Sequence, residues 1–207
     1  MEKVDKTIQL ILFDFGGVLY NIDHSRTIKA FSKLSTNPKL INNLSLKTFF
    51  CEKVFLDFEK GLIEADSFRK KIREIYSLDG TDEEFDESWN STLIGPKINV
   101  IKLIQEIKSE YRIALLSNTN EIHCEKFSSQ CKELLSLFEI LFYSFQIHLR
   151  KPERAIFEYV ISKLGIPPAN ILFVDDSNEN IESAKVLSFK TFLISKDNSL
   201  EDLRKII

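Results

Sequence analysis

The stretch Ile8-Gln9-Leu10-Ile11-Leu12-Phe13-Asp14-Phe15-Gly16-Gly17 decides the reading of this chain. A short apolar run ends directly on a carboxylate, and two glycines follow. The run is continuous rather than alternating, as in a strand covered on both faces of a parallel sheet. Four more runs have the same character: Ile113 to Leu116, Ile140 to Tyr143, Ile171 to Val174 and Thr191 to Ile194. Helix-period segments separate the later ones. Val100 to Ile107 and Asn180 to Leu187 repeat apolar residues at helical spacing. Ala155 to Leu164 does so too and stops at Gly165, with Pro167 just beyond. Strands alternating with helices predict an α/β fold, a Rossmann-like parallel sheet core.

Between the first two strands the chain is far too long for a simple crossover. From about His24 to Trp89 it shows helical patterns, including Leu46 to Phe58 and Asp66 to Ile75, with a turn at Gly61. This predicts an inserted helical cap domain over residues 20–93, with residues 1–19 and 94–207 forming the core domain. The acidic run Asp79 to Glu87 reads as a solvated loop and a helix start. Trp89 and the many Phe of this region read as packing residues rather than substrate contacts.

Composition excludes several classes. The chain has 207 residues, 43% hydrophobic and 29% charged, with a net charge of -3. That is a globular balance with no basic field for nucleic acid. Lys70, Lys71 and Arg73 read as a solvated helix face. No apolar stretch is long enough to span a bilayer and no signal-peptide pattern opens the chain. Cys51, Cys124 and Cys131 match no zinc spacing, and read as free thiols in a cytoplasmic protein. There is neither a P-loop nor a Gly-rich dinucleotide fingerprint.

In open α/β sheets, ligands bind beyond the carboxyl ends of the strands. Asp14 follows the first run. Ser117-Asn118-Thr119-Asn120 follows the second, and Asp175-Asp176-Ser177 the fourth. Arg150-Lys151-Pro152 precedes the helix at Ala155. Each piece alone is an ordinary turn or cap. Together they suit phosphoryl transfer. A carboxylate can attack phosphorus and form an acyl phosphate. Paired carboxylates hold Mg²⁺, a hard cation that offsets the repulsion between anions. Hydroxyl and backbone N–H groups bind phosphate oxygens, and a lysine adds positive charge.

These four motifs, in this order, resemble the haloacid dehalogenase-like (HAD) superfamily. Ile11 to Leu19, Leu115 to Thr119, Arg150 to Glu153 and Phe173 to Ile181 carry the resemblance. It implies Asp14 as nucleophile and metal ligand, with the Gly16 carbonyl and Asp176 as further Mg²⁺ ligands. Asp175 would be a second acidic ligand or a supporting residue beside it. Ser117 and the Asn118 backbone N–H would bind phosphate, and Lys151 would orient nucleophile and phosphate. The cap resembles that of the subgroup containing phosphoglycolate phosphatases and haloacid dehalogenases. Most family phosphatases carry a second Asp two residues after the nucleophile, as general acid and base. Here that position is Gly16. Asp23, on the same loop, is the candidate substitute, against the plainer reading of a helix cap. Within the family, the pattern is similar to bacterial phosphatases of α-D-glucose 1-phosphate, whose leaving group scarcely needs an acid. The expectation is a Mg²⁺-dependent phosphatase of a small phosphorylated metabolite. The alternatives are a metal-independent 2-haloacid dehalogenase, against which the pair Asp175-Asp176 argues, and a catalytically degenerate phosphate-binding module.

Overall fold

The computed structural model describes residues 7–42, 45, 48–49 and 53–207. Its strands are β1 (Leu10–Phe13), β2 (Tyr20–Ile22), β3 (Leu93–Pro96), β4 (Arg112–Ser117), β5 (Ile140–Tyr143), β6 (Ile171–Asp175) and β7 (Lys190–Leu193). The helices of the insertion are α1 (His24–Leu34), α2 (Lys39–Asn42), α3 (Lys53–Glu59), α4 (Ala65–Tyr76) and α5 (Asp82–Asn90). Those of the remainder are α6 (Val100–Lys108), α7 (Glu121–Gln130), α8 (Lys132–Leu135), α9 (Ser144–Ile147), α10 (Arg154–Leu164) and α11 (Asn178–Val186).

Five strands form a parallel sheet in the order β5-β4-β1-β6-β7. The apolar runs are continuous because the side-chain period of two sends alternate residues into two different cores. Ile11 and Phe13 of β1, Ile113 and Leu115 of β4, and Leu172 and Val174 of β6 enter one cluster with α6. Leu10 and Leu12, Ala114 and Leu116, and Ile171 and Phe173 enter the other, beneath α10 and α11. Strand β1 is central and buried throughout, so its carboxyl end opens between β4 and β6, the switch point of a doubly wound sheet.

The helical insertion has its own core of rings. Phe31, Phe49, Phe55, Phe58, Phe68, Phe85 and Trp89 are buried together, with Ile122 of α7 reaching in from the other body. Helix α5 starts on a capping box, Thr81 with Glu84, so the acidic run becomes its first turns. Part of the expected helix from Leu46 to Phe58, and Cys51, lie outside the described residues. Among the described residues, no strand from 20–93 enters the five-stranded sheet.

One element differs from expectation. β2 and β3 pair antiparallel in a separate ribbon at the junction of the two bodies. It crosses the boundary expected at 93/94. Its strands are only half-buried, and β3 contains Gly95 and Pro96, both poor strand formers, so neither segment carries a strand signal by itself.

Candidate active site

Asp14 leaves the end of β1 with its backbone N–H bonded to the carbonyl of Val174 on β6, 2.8 Å away. That fixes its side chain over the carboxyl edge of the sheet. Lys151 arrives from the loop before α10 with its whole side chain buried, only 1% exposed. Its Nζ donates to Asp14 Oδ1 and to Asp175 Oδ2, each at 2.6 Å. The loop is held by a two-way clamp: Asn118 Nδ2 donates to the Lys151 carbonyl and the Lys151 N–H donates to Asn118 Oδ1, both at 2.9 Å. Ser117, the last residue of β4, is buried beside them.

Asp175 is fully engaged. Besides Lys151 it accepts from the Ser177 N–H at 2.8 Å and from Asn180 Nδ2 at 3.0 and 3.1 Å. Its neighbour Asp176 is exposed. The carboxylates of Asp14, Asp175 and Asp176 have oxygens within 4.8 Å of one another. Gly17 is required here for two reasons. Its φ of +77° favours glycine, and a Cβ would sit 2.0 Å from Asp176 Oδ2.

The charges are unbalanced. Burial raises the Asp14 pKa to about 7; Lys151 opposes this and Asp175 adds to it. Burial and Asp175 likewise raise Asp176. Burial would lower Lys151, but Asp14 and Asp175 more than reverse it. Lys97, next to β3, is lowered by its own burial, with Asp176 pulling the other way. Three clustered carboxylates facing one buried lysine are a donor set that suits a hard divalent cation.

Beside this cluster lies a cavity of about 90 Å³ between the two bodies. Gly16, Ser117, Asn118 and Thr119 line its core side, and Ile22, His24, Glu59, Trp89, Thr92 and Leu93 its other side. Larger surface grooves occur near Tyr111 and Glu106, at the amino ends of the strands and far from the carboxylates. Trp89 stacks on His123, ring centroids 4.7 Å apart, and donates to Asn120 Oδ1 at 3.3 Å. It therefore packs, as expected, and also lines the cavity. Burial pushes His123 down to about 4.

The insertion is docked on the segment that carries Lys151. Ser144 Oγ donates to the Glu59 carbonyl at 2.6 Å, and Arg150 pairs with the Glu59 carboxylate at 3.0 Å. His148 Nδ1 lies 2.9 Å from the Lys60 carbonyl, and Lys60 pairs with Glu153 at 2.6 Å. Gly61 fits because a Cβ there would strike the Phe145 carbonyl oxygen at 2.1 Å. Burial raises the Glu59 pKa in spite of Arg150.

The structure thus brings Asp14, Lys151, Asp175, Asp176, Ser117 and Asn118 to one place, with Gly16 at the cavity wall. Asp23 is elsewhere in role. It is exposed and caps α1, accepting from the Ser25 N–H at 3.0 Å and Ser25 Oγ at 2.6 Å, and it does not line the cavity. These local bonds orient it towards its own helix, the geometry of the helix-cap reading. Glu59, Arg150, His24, Thr92 and His123 were not singled out from sequence. Only Arg150 had a visible signal, its place beside Lys151.

Comparison with known proteins follows the same lines. The haloacid dehalogenase-like hydrolase family matches residues 8–187. The D-ribitol-5-phosphate phosphatase of Bacteroides thetaiotaomicron is 33% identical over 190 residues, covering 89% of this chain and 91% of its own. A solved HAD family enzyme of the same organism, in complex with magnesium, superposes with a TM-score of 0.84 at 32% identity, covering 96% of this chain and 99% of its own. The same enzyme in complex with magnesium and inorganic phosphate gives a TM-score of 0.83 at 31% identity, covering 95% and 98%.

Proposed function

The chain belongs to the haloacid dehalogenase-like hydrolase family, and from that premise we propose that it is a Mg²⁺-dependent phosphatase of a small phosphorylated sugar or sugar alcohol. The observation that carries the reading is Lys151 bridging Asp14 and Asp175 beside the open carboxylate of Asp176. The relative's activity on D-ribitol 5-phosphate supports a polyol phosphate more than an anomeric sugar phosphate.

In this reading Asp14 is the nucleophile. Its carboxylate attacks phosphorus, an aspartyl phosphate forms, and water then releases inorganic phosphate. Lys151 aims the Asp14 carboxylate and contributes positive charge where negative charge collects on the phosphoryl oxygens. Ser117 Oγ and the Asn118 backbone N–H bind phosphate, the Asn118 side chain being occupied in clamping Lys151. Asp14, Asp176 and the Gly16 carbonyl would hold Mg²⁺, which neutralises phosphate charge when bound. Asp175 has its oxygens engaged by Lys151, Asn180 and Ser177, so its role is to hold Lys151. A metal-free dehalogenase is disfavoured, since the single charge of Lys151 offsets only part of the repulsion among three close carboxylates. The free thiols Cys124 and Cys131 suit the reducing cytoplasm in which such enzymes work.

The test is hydrolysis of a panel of polyol and sugar phosphates by the purified protein with Mg²⁺. Release of inorganic phosphate, lost on EDTA treatment and restored by Mg²⁺, is the expected outcome. Undiminished turnover in EDTA, or no turnover of any phosphate, would overturn the reading.

A further inference from the structure

Gly16 has no side chain, and Asp23 caps its own helix and does not line the cavity, so the cavity-lining groups are where a proton carrier is to be sought. We propose that His24 is the proton carrier, giving a proton to the departing alkoxide and then taking one from the attacking water. The proposal rests on the phosphatase reading above.

His24 lines the same cavity as Gly16, Ser117 and Asn118, the groups assigned above to metal and phosphate, so the leaving group of an ester held by them would lie on the side where His24 stands. It is held there from one side. Its Nδ1 lies 3.3 Å from Oγ1 of Thr92, a buried residue next to the ribbon. The Thr92 carbonyl accepts the Asp23 N–H at 2.9 Å, which ties the start of α1 to the same point. The residue still reaches solvent, so protons can exchange with bulk water. Partial desolvation against the cavity wall lowers its pKa from the ordinary value, although the residue as a whole is exposed, and Asp23 pulls it up. The ionisable groups facing it are Asp23 at the cap of α1, Glu59 from α3 across the cavity, and His123 from α7, with Lys29 and Arg26 of α1 acting on Asp23. A dianionic phosphate ester entering this cavity favours the imidazolium form.

The steps balance. An Asp14 carboxylate oxygen bonds to phosphorus as the bond from phosphorus to the leaving oxygen breaks. That electron pair stays on the leaving oxygen, which takes the proton of the His24 imidazolium. Water then bonds to phosphorus, and the acyl-phosphate P–O bond breaks with its electron pair returning to Asp14. The proton lost by the water passes to the neutral His24 ring, restoring the imidazolium. Because the first step needs the protonated ring, kcat/KM for an alcohol leaving group falls as pH rises through the His24 pKa. An aryl leaving group escapes this dependence because it departs as a stable phenolate.

The experiment compares the parent protein with His24→Gln on ribitol 5-phosphate and on p-nitrophenyl phosphate, each with Mg²⁺. For His24→Gln, kcat/KM on ribitol 5-phosphate should fall by a factor on the order of 10² to 10⁴ and lose its alkaline decline. On p-nitrophenyl phosphate, kcat/KM should stay close to the parent value. A stoichiometric burst of nitrophenolate should then precede a slow steady state, because the water lacks its base. Thr92→Val, which removes the hydroxyl at Nδ1 and keeps the ring, should show the same split between leaving groups at smaller size. Equal losses on both substrates in both variants would mean that His24 only shapes the cavity, and would overturn this proposal alone. If the parent hydrolyses neither substrate, the phosphatase reading fails and this role falls with it.

Discussion

In the sheet, Ile11 and Phe13 face one core while Leu10 and Leu12 face the other. In the helical insertion, rings meet rings: Phe68 touches Phe55, Phe58, Phe85 and Trp89, with centroids 4.0 to 5.9 Å apart. The two bodies carry their chemistry differently as a result. The sheet fixes backbone ends to a fraction of a residue, so the groups that must be placed most closely, Asp14, Ser117 and Asp175, sit on strand termini. The ring-packed body presents His24, Glu59 and Trp89 to the cavity between the two. On the proposed function, the sheet edge would set the reaction type and the insertion the selectivity, and variants in each body test that division.

The largest effect is expected at Lys151. Lys151→Ala leaves Asp14 and Asp175 buried without their cation. Breaking such a pair costs about 3 to 5 kcal/mol, and phosphatase activity should fall to background on every substrate. Thermal melts and assays on both alkyl and aryl phosphates check this. A variant with parent-like turnover would show that the sheet edge does not hold the chemistry.

Phe68→Ala comes next, since it opens a cavity in the centre of the ring cluster. Such truncations cost about 3 to 5 kcal/mol. Trp89 is the sole tryptophan of the chain, so its fluorescence reports on the insertion. That signal should melt at lower temperature than the far-UV circular dichroism of the whole. Coincident transitions at a common lowered temperature would mean that the two bodies unfold as one, and would break the comparison.

The smallest effect is expected at Asp23. Asp23→Ala removes the side chain that caps α1. It should lower Tm slightly and leave kcat on aryl phosphates unchanged, while the alkaline decline on alkyl phosphates moves to lower pH because Asp23 no longer raises His24. An alkyl-phosphate loss on the order of 10² or more at every pH would give the proton-carrying role to Asp23 and take it from His24.

The sheet was legible in the sequence because its signals are local. Three of the five apolar runs lead directly to a site residue, Asp14, Ser117 and Asp175, and the β6 run leads straight to Asp175-Asp176. Lys151 before Pro152 reads alone as an exposed loop lysine; only its place in the order of the four motifs marks it, and the structure buries it. The expected strand Ile8 to Phe13 begins two residues later in the structure, at Leu10, a fraying of the kind that boundaries show. The cavity was not legible. His24, Thr92 and His123 lie far apart in sequence and meet only because the insertion docks on α7 through Ile122 and Trp89. Asp23 illustrates the limit. It stands on the correct loop, yet the Ser25 two residues on draws its carboxylate to the helix N-terminus. The acidic run at α5 was more readable than composition suggests, since Thr81 and Glu84 already spell a capping box.

A covalent bond from Asp14 to phosphorus is the step on which the proposed phosphatase reaction depends. The direct measurement is rapid acid quench of the protein with a polyol phosphate and Mg²⁺, followed by mass spectrometry of the peptide that contains Asp14. A phosphoryl group on Asp14 is predicted within the first turnover, absent in Asp14→Asn and absent with EDTA. Turnover proceeding with no adduct on that peptide, or an adduct that persists in Asp14→Asn, would contradict it.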